Sequence, residues 1–114
     1  MSTRSELAAA ANTVDGITAH EYVVARTDPG TVYPRLDRVE YPNPFGGVAH
    51  WNVVLVLPQD LADAERYVET TLPALKAALD PHLVITSAAM QRLQLDVGVL
   101  PCVFINGHRE ADPS

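Results

Sequence analysis

The chain has 114 residues, the size of one domain, and 47% of them are hydrophobic, which predicts a folded protein. Its formal net charge is −6 and its eight basic residues are scattered, which argues against tight binding to phosphate backbones. No apolar run approaches the length of a membrane span and no secretory signal opens the chain, so we expect synthesis and retention in a cytoplasm. The single cysteine, Cys102, excludes an internal disulfide and a cysteine-based zinc cluster, and its apolar surroundings predict a buried, inert side chain.

The first predicted element is a helix over residues 3–14, which Ser2 or Thr3 can cap. Glu6 lies three residues after Thr3, which is a capping-box pattern, and an alanine-rich run follows. Asp15 and Gly16 end it. The apolar stripe of this helix is thin, so we expect it to lie on the surface of a sheet.

Two strands and a loop follow in the sequence. Residues 20–26 and 32–41 are rich in side chains that favour strands, and a Pro-Gly turn separates them. Pro34 cannot donate to a ladder, so the second strand is expected to be irregular there or to lie at an edge. Residues 42–47 contain two prolines and two glycines and predict a loop.

The strongest strand pattern covers residues 48–57. Trp51 alternates with Val53 and Leu55, which favours a core position for Trp51 over a role as an interface anchor. The side chains on the opposite face of this predicted strand become apolar only toward the C-terminal end of the strand. This pattern is typical of a central strand that helices cover on one side and that is partly buried on the other.

The main helix is predicted over residues 59–79, with Asp60 as its N-cap. Pro73 should kink or split it, because proline removes a backbone donor and clashes with the preceding turn. Apolar residues at three-four spacing form its predicted buried face: Leu61, Ala64, Val68, Leu72, Leu75 and Leu79.

The C-terminal part predicts strands over residues 82–90 and 99–106, joined by a linker over residues 93–98. Asn106 and Gly107 indicate a tight turn.

Together these elements predict one α+β domain over residues 1–114, in the order α-β-β-β-α-β-β, and we expect a polar, frayed tail at residues 108–114. Short connections between strands favour a mostly antiparallel sheet of about five strands packed by two helices.

The sequence offers no constellation of catalytic or metal-binding residues. No two histidines have a helical ligand spacing, and neither a nucleophile elbow nor a phosphate-binding loop is present. Four carboxylates early in the main helix are best interpreted as a solvated face: Asp60, Asp63, Glu65 and Glu69. We therefore expect a protein that is not an enzyme and that needs no cofactor or metal.

The loop over residues 42–47 is the main candidate for a partner contact, because an apolar side chain at a loop is costly unless something covers it. Phe45 could fold back on its own domain or meet a partner, and the sequence leaves both alternatives open. The candidate contact residues are Pro42, Pro44, Phe45, Gly46, Gly47, Arg35 and Arg38.

The residues that open the chain, MSTRSELAAAANTVDG, resemble the start of tail terminator proteins of long-tailed (siphovirus) actinobacteriophages. The resemblance continues through a Trp-containing strand over residues 50–57, an acidic-started helix over 60–79 and a Leu-Val-Ile-Thr strand. An apolar strand and the ending at residues 107–111 complete it, so that it covers nearly the whole chain.

This resemblance implies a structural virion protein that forms a homohexameric ring and caps the tail tube at the head–tail junction. Its partners would be further copies of itself, the major tail tube protein and a head-completion (stopper) protein, with DNA passing through the lumen without specific contacts. Such a family has no catalytic residues. Two alternatives stay open: another neck component, such as a tail-completion or head-closure protein, and a small ligand-binding domain or enzyme.

Overall fold

The structure is a computed structural model and describes residues 2–96 and 98–111. Two helices and five strands follow one another along the chain: α1 (Thr3–Ala11), β1 (Thr18–Ala19), β2 (Thr31–Asn43), β3 (Gly46–Val56), α2 (Leu61–Leu79), β4 (Val84–Leu95) and β5 (Gly98–Glu110). The predicted α+β class and the predicted order of elements are confirmed. Neither helix in the described ranges is long and apolar enough to cross a membrane.

The five strands form one sheet in the order β1-β2-β3-β5-β4. The sheet is mixed, because β1 pairs with β2 in parallel whereas the other three pairings are antiparallel. Two long hairpins, β2–β3 and β4–β5, supply most of it and meet where β3 pairs with β5. β2 and β4 therefore lie toward opposite edges of the sheet.

The main core lies between the two helices and one face of the sheet. Trp51, Val53 and Leu55 of β3 are buried there, which confirms the predicted core position of Trp51. The helices contribute apolar side chains that are also buried, namely Leu7, Ala11, Ala64, Leu75 and Leu79. Burying a side chain of this kind stabilises the fold by about 1.5–3 kcal/mol.

A second, smaller apolar cluster covers part of the opposite face of the sheet. Tyr33, Val54 and Cys102 from the three central strands pack there with Leu93 near the end of β4. Val24, from the irregular segment between β1 and β2, packs on the same cluster. This face is therefore buried near the end of the β4–β5 hairpin, as the apolar C-terminal end of β3 predicts.

The predicted strand over residues 20–26 is wrong, since pairing with β2 stops after Ala19. Pro34 has no N–H to offer a neighbouring strand. Instead, Arg4 donates from Nη1 to the carbonyl oxygens of Pro34 (2.9 Å) and Glu21 (2.7 Å). The guanidinium group thus occupies the edge of β2, and the chain leaves the sheet.

The first helix begins at Thr3 as predicted, and its N-cap is Ser2, one of the two predicted caps, whose Oγ accepts from the Ser5 N–H at 3.2 Å. It differs from the prediction at its other end, since it ends at Ala11. Glu6 does not complete a capping box, because its carboxylate pairs with Arg109 of β5. A long-range ion pair has replaced the local interaction.

Strand pairing overrides the local turn and breaker signals in both hairpins. β2 continues to Asn43, and a register shift between Glu40 and Asn43 accommodates Pro42. The predicted linker at 93–98 lies largely within β4 and β5, and the predicted turn at Gly107 lies inside β5. Residues 108–110 of the predicted tail are also part of β5, whereas residues 112–114 lie outside the described residues.

The main helix is continuous through Pro73, so the predicted split is wrong. Its predicted N-cap is confirmed, because Asp60 Oδ1 accepts from the Asp63 N–H at 3.1 Å. Pro73 lies on the exposed side of the helix. Leu61 was expected on the buried face but is 67% exposed, because it begins the helix at the margin of the core.

Candidate functional site

The β2–β3 hairpin presents an apolar side chain at its end. Asn43 pairs with Gly46, so that Pro44 and Phe45 form a two-residue turn. The Asn43 side chain holds this turn, since its Oδ1 accepts from the Phe45 N–H at 2.9 Å. Phe45 is 95% exposed and Tyr41 is 74% exposed. Of the two alternatives for Phe45, packing back on its own domain is therefore not what the structure shows.

The other residues of this hairpin tip, residues 42–47, divide into exposed and buried positions. Pro42, Pro44 and Gly46 are exposed. Gly47 is buried, because the Tyr41 ring lies over it, and a Cβ atom built at Gly47 would stand 2.9 Å from Tyr41 Cε1. The absence of a side chain at Gly47 thus leaves room for the Tyr41 ring, and Gly47 is not itself a surface position.

The predicted contact residue Arg38 is already engaged within its own strand. Its guanidinium donates to Glu40 Oε1 at 2.8 Å and to Asp37 Oδ2 at 2.7 Å, and these two hydrogen bonds, that to Glu40 first, raise the pKa of Arg38. Glu40 also lies 2.9 Å from His50 Nε2 on β3. This surface is a compact network of opposite charges.

Arg35 differs from Arg38 in that its charge has no carboxylate partner in the described ranges 2–96 and 98–111. Its guanidinium lies 5.4 Å from the centroid of the Phe104 ring on β5. The side chain is exposed and lines an open groove of about 370 Å³ between β2 and the end of β4. Arg35 is therefore available to a negatively charged group of a partner.

That groove carries an exposed apolar surface at the edge of β2, which we call the β2-edge patch and which consists of Tyr22, Val23 and Leu36. Arg4 fixes its geometry, with its guanidinium 4.2 Å from the Tyr22 ring centroid and 5.1 Å from that of Trp51. The same residue binds the carbonyl oxygen of Pro34. The patch is thus anchored to the core through Arg4.

A second exposed apolar surface lies beside β4, which we call the β4-edge patch and which consists of Leu61, Met90 and Val99. These side chains line a groove of about 540 Å³ between the start of α2 and the β4–β5 hairpin. The sequence did not reveal either patch. Leu61 and Met90 fit the apolar patterns of a buried helix face and a strand, and only the packing shows that they remain uncovered.

Within the described ranges, the structure contains no cluster of three or more His, Cys, Asp or Glu side chains that could hold a metal ion. His50 and His108 lie close, with ring centroids 5.7 Å apart, on the polar face of β3 and β5. Cys102 is buried, as predicted, and burial raises the pKa of its thiol to about 11. A thiol with so high a pKa is a poor nucleophile at neutral pH.

Comparison of the chain with protein-family models finds no match, and comparison with curated proteins finds none either.

Proposed function

We propose that the protein is a structural virion component, a ring-forming tail terminator that caps the phage tail tube and connects it to the head-completion proteins of the neck. The observation that carries the proposal is the position of Phe45, which is 95% exposed at the end of an ordered hairpin. The opening sequence and the order of elements supply the link to phage tails.

The exposure of Phe45 is costly for a protein that works alone. Burying a phenylalanine side chain against a partner contributes about 1.5–3 kcal/mol to the free energy of binding. The two-residue turn already holds Phe45 in place, so little further ordering is needed when it binds. Tyr41 enlarges the same apolar surface. We assign this hairpin tip to the contact with the tube or the neck protein.

The charge of the chain suits a subunit that surrounds DNA without gripping it. One copy carries −6, so a ring of six copies carries −36. Phosphate binding requires clustered lysine and arginine, and a negatively charged ring would let DNA pass through its lumen without specific contacts.

Electron microscopy of virions with gold-labelled antibodies to this protein tests the assignment. We expect label at the head–tail junction. Label elsewhere on the tail would contradict the terminator role, and label between the junction and the capsid portal would favour a head-closure protein instead.

Replacing Phe45 with Asp tests the role of the hairpin tip. The variant should fold like the wild type, because the side chain is exposed, but should no longer attach to tail tubes. Ala77→Asp is the matched control, since Ala77 is also an exposed apolar residue but lies on α2, outside the hairpin. Attachment by Phe45→Asp equal to that of the control would contradict the proposal.

A further inference from the structure

The two apolar patches are two different surfaces of the subunit. The β2-edge patch is carried by β2 and by the segment that precedes it, beside a groove that the end of β4 also lines, whereas the β4-edge patch is carried by the β4–β5 hairpin and the start of α2. A cyclic ring is built from heterologous contacts, in which two different surfaces of each subunit meet. The two patches supply the pair of surfaces that such a contact requires.

The two edges are protected against uncontrolled pairing to very different degrees. β2 carries two prolines and several charged residues along its outer edge, features that keep strands from adding to a sheet. β4 has neither proline nor charge over residues 84–91, and its one irregularity is a register shift between Ile85 and Ser87. An unprotected edge of this length is expected to be covered in the working state of the protein.

The charges beside the two patches are complementary. Arg4 and Arg35 line the β2-edge groove, and no carboxylate in the described part of the chain pairs with either. Beside the β4-edge patch, residues 60–69 carry four carboxylates and one arginine. Glu65 and Glu69 follow Leu61 at intervals of four residues, which places them on the same stripe of α2, and both are exposed.

Arg66 and Arg92 do not cancel this negative charge. Arg66 is paired with Asp63 at 3.2 Å, and Arg92 is a single cation on the strand side of the groove. Glu65 and Glu69 have no cationic partner among the residues that the structure describes. The helix side of the β4-edge patch therefore presents unpaired negative charge to a neighbour.

We infer that the β2-edge patch of one copy packs against the β4-edge patch of the next, with Arg35 facing Glu65 and Glu69, and that this head-to-tail contact closes the ring. The inference rests on the proposed function, since it specifies how a ring subunit meets its neighbour. It assigns the two edges to contacts between copies and leaves the hairpin tip for the tube or the neck.

Cross-linking between engineered cysteines tests the contact. The full chain is prepared as Leu36→Cys and, separately, as Leu61→Cys, and each is treated at high concentration with a flexible bismaleimide, which does not demand the Cα distances of a disulfide. Native Cys102 is buried and gives the background in the wild type. A head-to-tail contact predicts several-fold more cross-linked dimer in a mixture of the two variants than in either alone.

The other outcomes overturn the inference. Cross-linking of Leu36→Cys or Leu61→Cys with itself as efficiently as in the mixture would indicate a symmetric contact. A yield no higher than that of Ala77→Cys mixed with Leu36→Cys would show that the two patches do not meet, since Ala77 is exposed on α2 outside both patches. A doubly substituted chain should give a ladder of multimers that ends at the closed ring.

Charge reversal tests the orientation of the contact. Arg35→Glu in the Leu36→Cys chain should reduce the cross-linking yield several-fold, and Glu69→Arg in the Leu61→Cys chain should restore it. Arg38→Glu is the matched control, because Arg38 is already paired with carboxylates of its own strand. The pairing of Arg35 with α2 would be overturned if Arg35→Glu did not reduce the cross-linking yield. It would also be overturned if Glu69→Arg did not restore that yield.

These measurements separate the inference from the proposed function. Gold label at the head–tail junction without heterologous cross-linking would overturn the contact between edges alone. Heterologous cross-linking combined with label elsewhere in the virion would overturn the terminator role alone.

Discussion

Arg109 near the end of β5 and Glu6 in the first helix form an ion pair, with Arg109 Nη1 2.8 Å from Glu6 Oε2. The two residues are 103 positions apart in the chain. Arg109 also donates to the carbonyl oxygen of His82 at 3.4 Å, before β4 begins. Both side chains are partly buried, so one arginine joins the N-terminal helix, the last strand and the segment that follows α2.

Replacing Glu6 with Ala should lower the free energy of unfolding by about 1 kcal/mol, because the partly buried Arg109 then loses its charged acceptor. Urea unfolding at pH 7 measures the change. Asp63→Ala is the control: the Asp63–Arg66 pair is well exposed, and such pairs contribute about 0–1 kcal/mol. Equal effects of the two substitutions would show that the Glu6–Arg109 pair has no special role.

Gly107 should not tolerate a side chain. A Cβ atom at this position would stand 2.7 Å from both Leu83 Cγ and the Val84 carbonyl oxygen, and the backbone oxygen cannot move without disturbing β4. We expect Gly107→Ala to destabilise the protein by about 1–3 kcal/mol, the usual cost of overpacking. Gly46→Ala has open space and should cost much less in the same thermal unfolding experiment.

The Tyr33 hydroxyl is buried and has no hydrogen-bond partner among the described residues. Because an unsatisfied buried polar group costs about 1–3 kcal/mol, Tyr33→Phe should leave the stability unchanged or raise it by about 1 kcal/mol. Tyr67→Phe is the comparison, since Tyr67 is only half-buried and its hydroxyl is not among the described buried groups without a partner. A clear loss of stability in Tyr33→Phe would show that its hydroxyl binds a group we have not identified.

The protein should lose stability at alkaline pH. Burial raises the pKa of Cys102 from 9.0 to about 11 in the folded state, and it also raises the pKa of Tyr33 and Tyr67. The unfolded chain therefore releases these protons first, so the stabilising contribution is complete below pH 9 and is lost as the pH rises toward 11. The cysteine alone contributes on the order of 2 kcal/mol to this change.

Unfolding in urea at several values between pH 8 and roughly pH 11 checks this prediction. Cys102→Ala should be less stable at pH 8 because of its lost packing, but its stability should fall less steeply with pH. A parallel decline in the two proteins would contradict the assignment to Cys102.

Periodic apolar patterns predicted the central parts of the fold. The alternation along β3 located Trp51 and Val53 in the core, and the N-cap at Asp60 marked the start of α2. These features could be predicted because each depends on residues that are close in the chain. The predicted boundaries were wrong where a distant group intervened, as at residues 20–26, where Arg4 occupies the edge of β2.

The candidate surface was predicted only in part. The sequence drew attention to Phe45 but left open whether its side chain is covered, and the turn formed by Pro44 and Phe45 shows it exposed. Leu61 was misassigned, because its spacing fits a buried helix face although it lies beyond the margin of the core. Burial depends on what lies opposite a residue, and a pattern along one helix carries no information about that.

The sequence by itself determined the α+β class, the order of the elements and the negative charge, because composition and local periodicity decide these properties. The tertiary structure decided the parallel pairing of β1, the exposure of Phe45 and the two apolar patches. Each of these depends on which residues far apart in the chain do or do not pack together, and there strand pairing and packing outweigh local preference.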